Sequence, residues 1–207
     1  MNSNFKFEMD QLEKIVQELS KDLVSLRRSL HQEPEIGWKE TKTTGKIRRF
    51  LERMDRVSLT YPLETGVVAE LVNHPDAPYL GFRADIDALP VHDEKDVPYR
   101  SRFPNVCHAC GHDVHTAVGC GIIAVLSRLK PDLPYNVRIM FQPAEEPIPS
   151  GAPGLIKSGV LHNVNTIWAM HVDPNLPLGS FSLTDGWVNS QSVKLDWKIR
   201  GISGHSA

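Results

Sequence analysis

Short apolar segments of strand length alternate along this chain with longer segments of helical periodicity, and this alternation constrains the fold more than any other feature. Residues 136–142 and 166–172 are compact and apolar, as strands buried in a largely parallel sheet are. Further patterns surround them: strands at 67–72 and 79–83, and helices at 9–30, 40–54 and 116–129. This order predicts an α/β fold with a mostly parallel central sheet flanked by helices.

The pattern changes near the end of the sequence. Apolar residues from Val193 to Ile199 alternate with charged ones, which is the period of a strand with one solvated face. Because a single strand is not stable alone, we expect the chain to be cut short within a second domain. The predicted organisation is an incomplete catalytic domain over 1–188 and the first strand of a lid and dimerisation domain over 189–207.

Charge and composition argue against several classes of function. The net charge is −2, with no basic stripe of the kind that binds nucleic acid. No apolar segment approaches the roughly 20 residues that span a membrane, and the first residues lack the apolar core of a signal peptide. The three cysteines do not provide a disulfide framework. We therefore expect a cytoplasmic protein that binds neither nucleic acid nor a membrane.

Polar residues suited to metal binding or acid–base chemistry follow three of the predicted strands. They are Asp85 and Asp87 after the strand at 79–83, Glu145 and Glu146 after the strand at 136–142, and His171 at the end of the last strand. Open α/β sheets bind their ligands at the carboxyl ends of the strands, so these side chains are expected to share one site.

A Cys-x-x-Cys-x-His segment precedes the helix predicted at 116–129. Cys110 and His112 offer a thiolate and an imidazole, which with the carboxylates fit a hydrolytic dinuclear metal site. Cys107 and Cys110 also leave open a redox-active disulfide, which a count of free thiols under native conditions would detect.

Six sequence segments occur in a characteristic order: RSLH with PEIG at 28–37, FRADIDALP at 82–90, CHACGHDVH at 107–115, QPAEE at 142–146, AMHV at 169–172 and GISGHSA at 201–207. Together they resemble the aminoacylase family of dinuclear metallopeptidases, in the branch of hippurate hydrolases, N-acetyl-diaminopimelate deacetylases and indole-acetyl-amino-acid hydrolases. The resemblance covers nearly all of the chain, but only about the first half of such family members.

The resemblance implies a role for each of the polar residues. It implies four ligands for two divalent metal ions, which would be zinc, manganese or cobalt: Cys110, His112, Glu146 and His171. Glu145 would be the general base, Asp87 would orient a metal-binding side chain, and His205 would polarise the scissile carbonyl. In the family this last histidine often acts across a homodimer formed by the lid domain.

The implied activity is that of a metal-dependent amidohydrolase that removes the acyl group from N-acyl amino acids. The implied fold is a zinc-exopeptidase-like catalytic domain with an inserted α+β lid. A further histidine ligand of the family has no counterpart here, so this segment alone is expected to be inactive. The alternative is a non-catalytic metal-binding protein with the same fold, against which Glu145 argues because a binding module needs no base.

Overall fold

The computed structural model describes residues 3–130, 132–183, 185–188, 195–202 and 204, with side chains from residue 9 onward. Chain contacts divide it into two units, Met1–Val172 and Asp173–Ala207. The first unit contains, in chain order, α1 (Ser3–Gln32), α2 (Thr41–Leu51), β1 (Val57–Thr60), β2 (Val67–Leu71), β3 (Tyr79–Asp85), α3 (His112–Leu129), β4 (Asn136–Gln142), α4 (Gly151–Lys157) and β5 (Val164–Ala169). The predicted helices and strands of this unit are present, and β1 is an additional strand. β5, which was predicted as a buried strand, is exposed along most of its length.

The sheet has the strand order β1-β2-β4-β3-β5. β3 pairs in parallel with both β4 and β5, as predicted for a mostly parallel sheet. On the other side, β2 pairs antiparallel with β1 and β4, so the sheet as a whole is mixed. The connection between β1 and β2 is too short for a crossover helix, which explains their antiparallel pairing.

Helices cover both faces of the sheet. The larger core lies on the face that packs against α2 and α3, with α1 packed mainly on α3, and it includes Ile139 and Phe141 of β4. Met140, which lies between them, joins a smaller cluster with Leu155 of α4. Alternate residues of a strand point to opposite faces, so β4 serves both cores and is buried along its whole length. A strand buried in this way is a rigid support for the residues that follow it.

The second unit carries no helix or strand among its described residues. The strand predicted at 193–199 lies partly outside the described residues, and Leu195 to Ile199 are not paired as a strand. The lid strand therefore stays a prediction, because an extended segment needs a partner strand to complete its hydrogen bonds. In the described part of the chain, no helix has the length and apolar character needed to cross a membrane.

Candidate metal centre

The three parallel strands bring the predicted site residues to one edge of the sheet. β3, β4 and β5 end at Asp85, Gln142 and Ala169, and Asp85 is the register partner of Gln142. The segments that follow these strands carry, respectively, Asp87, the Glu145–Glu146 pair and His171. β5 was predicted to reach residue 172 but ends at Ala169, which leaves His171 outside the strand. This edge is where an open α/β sheet places its ligand.

Gly111 fixes the segment that carries Cys110 and His112. Its φ angle of 85° lies in the left-handed region, and α3 begins directly after it, at His112. The sequence predicted this helix to begin at residue 116, and the early start places His112 in its first turn. A Cβ atom on Gly111 would lie 2.2 Å from Cγ2 of Val172, so the segment before α3 passes close to the segment after β5. Only glycine fits both the conformation and the approach.

The structure brings the four predicted metal ligands together in two overlapping groups. Within each group the ligand atoms lie within 4.8 Å of one another: Cys110, His112 and His171 in one, and His112, Glu145 and Glu146 in the other. The Cys110 Sγ and His171 Nε2 atoms are 3.2 Å apart. His112 belongs to both groups, so the two candidate ligand groups are adjacent. A third group consists of Asp85, His112 and His115.

The environment of the His112 ring fits a bound cation. Nδ1 lies 2.9 Å from the backbone carbonyl oxygen of Asp87, which can only accept, so in the neutral ring Nδ1 carries the proton and Nε2 presents a lone pair. Nε2 is buried and has no hydrogen-bond partner among the described residues. Carboxylate oxygens of Asp85, Glu146 and Glu145 face it at 3.6, 3.9 and 4.0 Å. A buried lone pair surrounded by anions is unfavourable without a positive charge between them, and imidazole and carboxylate are both zinc ligands.

Asp87 connects two of the predicted ligands. One of its carboxylate oxygens lies 3.3 Å from Nδ1 of His112, and the other accepts the backbone N–H of Glu146 at 3.1 Å. Burial alone would raise the pKa of Asp87, but the bonds with His112 and with the N–H groups of Glu146 and Glu145 outweigh it and lower the pKa. Burial would lower the pKa of His112, but its hydrogen bond to Asp87 and the charges of Asp85, Asp87 and Glu145 raise it. Asp87 is therefore an ionised carboxylate that contacts the ring of His112, a predicted metal ligand, and the backbone of Glu146.

The site has an excess of negative charge in the absence of a cation. Burial, followed by the charge of Glu146 and a hydrogen bond to it, raises the pKa of the Cys110 thiol to about 12. Burial and the charge of Glu146 also raise the pKa of Glu145, against the opposing charge of Arg83. A divalent cation would favour the Cys110 thiolate and relieve the repulsion between the carboxylates.

Three residues that support the site were not selected from the sequence. Arg83 lies 2.8 Å from Asp85 Oδ2 and 3.7 Å from Glu145 Oε1. Glu40 accepts the backbone N–H of Ala144 at 2.7 Å, although it precedes that residue by 104 positions. His115 hydrogen-bonds Asp85 at 2.6 Å. His115 follows His112 by one helical turn, which was the available signal, whereas the role of Glu40 depends on the tertiary fold.

Two further predictions concern His205 and the pair Cys107 and Cys110. His205 lies outside the described residues. Cys107, Cys110 and Cys120 are all free thiols, so the structure contains no Cys107–Cys110 disulfide. Cys107 and Cys120 are buried, and burial raises the pKa of both thiols.

Proteins of known sequence are similar to this chain over most of its length. An N-acetylcysteine deacetylase of Bacillus subtilis (strain 168) is 40% identical over 185 residues, which are 89% of this chain and 48% of the relative. An N-acyl-L-amino acid amidohydrolase of Geobacillus stearothermophilus is 32% identical over 198 residues, which are 96% of this chain and 54% of the relative. The chain thus spans about half the length of these two relatives.

A solved structure and a family description agree with these relatives. The Bacillus subtilis YXEP protein, described as a dinuclear metal binding peptidase from the M20 family, is 41% identical with a TM-score of 0.74, over 79% of this chain and 46% of that one. Residues 81–204, which include every predicted ligand, match Peptidase family M20/M25/M40. The chain belongs to Peptidase family M20/M25/M40.

Proposed function

We propose that the protein is a metal-dependent amidohydrolase that cleaves the amide bond of N-acyl amino acids with the help of two divalent metal ions. The observation that carries the proposal is the His112 ring, whose buried Nε2 lies between two ligand groups and faces three carboxylates. The names of the relatives supply the substrate class, because they describe deacetylation of N-acetylcysteine and hydrolysis of N-acyl-L-amino acids.

The ligand set is Cys110, His112, Glu146 and His171. Two divalent ions held there would supply Lewis acidity toward the amide carbonyl and lower the pKa of water. The thiolate among the ligands favours zinc, cobalt or manganese over magnesium or calcium.

Glu145 is the general base in this proposal. Its raised pKa makes it a better proton acceptor than an ordinary glutamate, and its contact with Arg83 holds the carboxylate beside the ligands. It takes a proton from the attacking water and passes it to the departing amine. Asp87 has a positioning role, since it holds the ring of His112 and the backbone of Glu146.

The proposal extends to His205 by sequence resemblance. By this resemblance His205 would donate a hydrogen bond to the oxygen of the amide carbonyl while negative charge develops on that oxygen. We further propose that this donation occurs across a homodimer formed by the lid domain that begins at residue 189. The cytoplasmic location expected from the sequence stays a prediction.

Two alternatives are less well supported. A non-catalytic metal-binding protein would gain nothing from Glu145, which has a raised pKa beside the ligands. A dithiol oxidoreductase needs a reactive thiolate, whereas burial and nearby carboxylates raise the pKa of Cys110 to about 12.

The test is a hydrolysis assay on the full-length protein, because this segment alone is expected to be inactive. A panel of N-acetyl and N-benzoyl amino acids is incubated with the protein, and the released amino acid is measured before chelation, after chelation, and after addition of zinc, manganese or cobalt. We expect hydrolysis that disappears on chelation and returns with at least one of these ions. Chelator-resistant hydrolysis, or no hydrolysis of any member by the metal-loaded protein, would contradict the proposal.

A further inference from the structure

His115 is a buried histidine beside the metal centre, and both of its ring nitrogens are engaged within the protein. It lies one turn into α3, after His112. Nδ1 lies 2.6 Å from Oδ1 of Asp85, and Nε2 lies 3.0 Å from the backbone nitrogen of Val172. These contacts connect the start of α3, the end of β3 and the segment after β5.

The partners of His115 determine which nitrogen carries its proton. The N–H of Val172 can only donate, so Nε2 of His115 accepts this bond with its lone pair. In the neutral ring the proton then lies on Nδ1 and is donated to the Asp85 carboxylate. Asp85 is itself held by Arg83, whose Nη1 lies 2.8 Å from the other carboxylate oxygen.

The backbone of Val172 carries this constraint to a predicted metal ligand. While its N–H is bound by His115, its carbonyl oxygen lies 2.8 Å from Nδ1 of the neighbouring His171. A carbonyl oxygen only accepts, so Nδ1 of His171 donates and Nε2 presents a lone pair. That Nε2 is the atom 3.2 Å from the sulfur of Cys110. The Val172 backbone therefore fixes both the position and the ring orientation of His171.

The same contacts distinguish His115 from a ligand, although its ring belongs to a group whose geometry could hold a metal. Coordination through Nε2 would take away the acceptor that the N–H of Val172 has in this structure. By contrast, Nε2 of His112 is buried without a hydrogen-bond partner among the described residues. Asp85 is equally committed, since its two oxygens bind His115 and Arg83.

We infer that His115 is a positioning residue: with Asp85 it holds the backbone of Val172, and through it the His171 ring, where His171 and Cys110 can share one cation. This inference rests on the proposed function for the identity of the cation. The contacts among Asp85, His115 and Val172 belong to the protein itself, so they can be tested without metal.

The test measures hydrogen–deuterium exchange of the Val172 amide in the metal-free intact protein, and Zn²⁺ affinity in a separate titration. His115→Phe keeps a ring but removes both hydrogen bonds. His115→Gln keeps an acceptor for Val172 and a donor for Asp85, and therefore tests rescue. His108→Phe is the matched control, because His108 is also buried and neither of its nitrogens has a hydrogen-bond partner in the described part of the chain.

We expect Val172 exchange to be at least about tenfold faster in His115→Phe and Zn²⁺ binding about 10- to 100-fold weaker, as for other residues that orient metal ligands. His115→Gln should lie between this variant and wild type, and His108→Phe should keep wild-type exchange at Val172. If His115→Phe does not fold, His115→Gln is judged by the same two measurements.

Three results would overturn the inference. They are unchanged exchange at Val172, faster exchange with unchanged Zn²⁺ affinity, and loss of Zn²⁺ with Val172 still protected, which would make His115 a ligand. A wild-type protein that binds no Zn²⁺, Mn²⁺ or Co²⁺ would instead contradict the proposed function, while the exchange measurement would still judge the contact between His115 and Val172.

Discussion

Replacement of Gly111 by alanine perturbs the metal centre without changing any ligand. The φ angle of 85° would cost an alanine roughly 1–2 kcal/mol. Its Cβ would also lie 2.2 Å from Cγ2 of Val172, where carbon atoms prefer a separation of about 3.5–4.0 Å. Overpacking of this kind typically costs about 1–3 kcal/mol. The sum predicts a loss of roughly 2–5 kcal/mol in the free energy of unfolding.

The overpacking also predicts a functional effect, because the atom that must move belongs to Val172. A shift of Val172 by about 1 Å would move the adjacent His171 away from Cys110, whose sulfur is now 3.2 Å from the His171 ring. We therefore expect Zn²⁺ affinity to fall by about 10- to 100-fold in Gly111→Ala. Urea unfolding of the metal-free protein and Zn²⁺ titration calorimetry measure the two effects separately.

Gly159 provides a matched control for the backbone strain. Its φ angle is 87°, and an added Cβ would have no neighbour within 4 Å among the described residues. Gly159→Ala should therefore cost only about 1–2 kcal/mol of stability and leave Zn²⁺ affinity unchanged. Wild-type Zn²⁺ binding by Gly111→Ala, or an equal loss of affinity in both variants, would refute the reasoning.

Three further predictions concern the thiols, acid stability and the lid. Cys110→Ser should weaken Zn²⁺ binding far more than Cys107→Ser in a calorimetric titration; equal losses would indicate a site that uses both thiols. Burial would raise the pKa of Asp93, but hydrogen bonds from the backbone N–H groups of Ser101 and Lys95 lower it to about 2. The ionised Asp93 therefore stabilises the fold fully above about pH 4, and this stabilisation is lost as the pH falls toward 2. Asp93→Asn should remove about 2 kcal/mol at pH 7 and flatten this acid slope in urea unfolding; an unchanged slope would argue against it. His205→Ala should lower turnover roughly 100- to 1000-fold with metal content unchanged. Mixing it with Glu145→Gln should restore activity in hybrid dimers, and proven hybrids without activity would rule out donation across the dimer.

β4, which precedes the Glu145–Glu146 pair, was predictable because its burial is visible in the sequence, whereas β5 was also predicted as buried but is mostly exposed. The compact apolar segment of β4 occupies the predicted residues, and the polar residues after β3 and β4 lie at one sheet edge because parallel strands end there. β1 was missed because only alternate residues of its four are partly buried, which gives a weak apolar signal.

The first residue of α3 and the residues that hold the site in place could not be predicted from the sequence, because both depend on tertiary contacts. α3 begins at His112 because Gly111 adopts a left-handed conformation against Val172, a contact that local periodicity does not reveal. Glu40 and Ala144 are brought together across 104 positions. The residue types indicated which side chains could form a metal site, but these supporting contacts required the folded chain.

Metal content and turnover, measured on the same samples of Glu145→Gln and Glu146→Gln, test the central claim most directly. In the proposed mechanism Glu145 transfers protons and Glu146 binds metal. We therefore expect Glu145→Gln to keep near wild-type metal per chain but to lose hydrolysis of N-acyl amino acids, whereas Glu146→Gln should lose metal as well as activity. Full metal in both variants with only Glu146→Gln inactive would exchange the two roles. Wild-type turnover by Glu145→Gln would contradict the proposed mechanism.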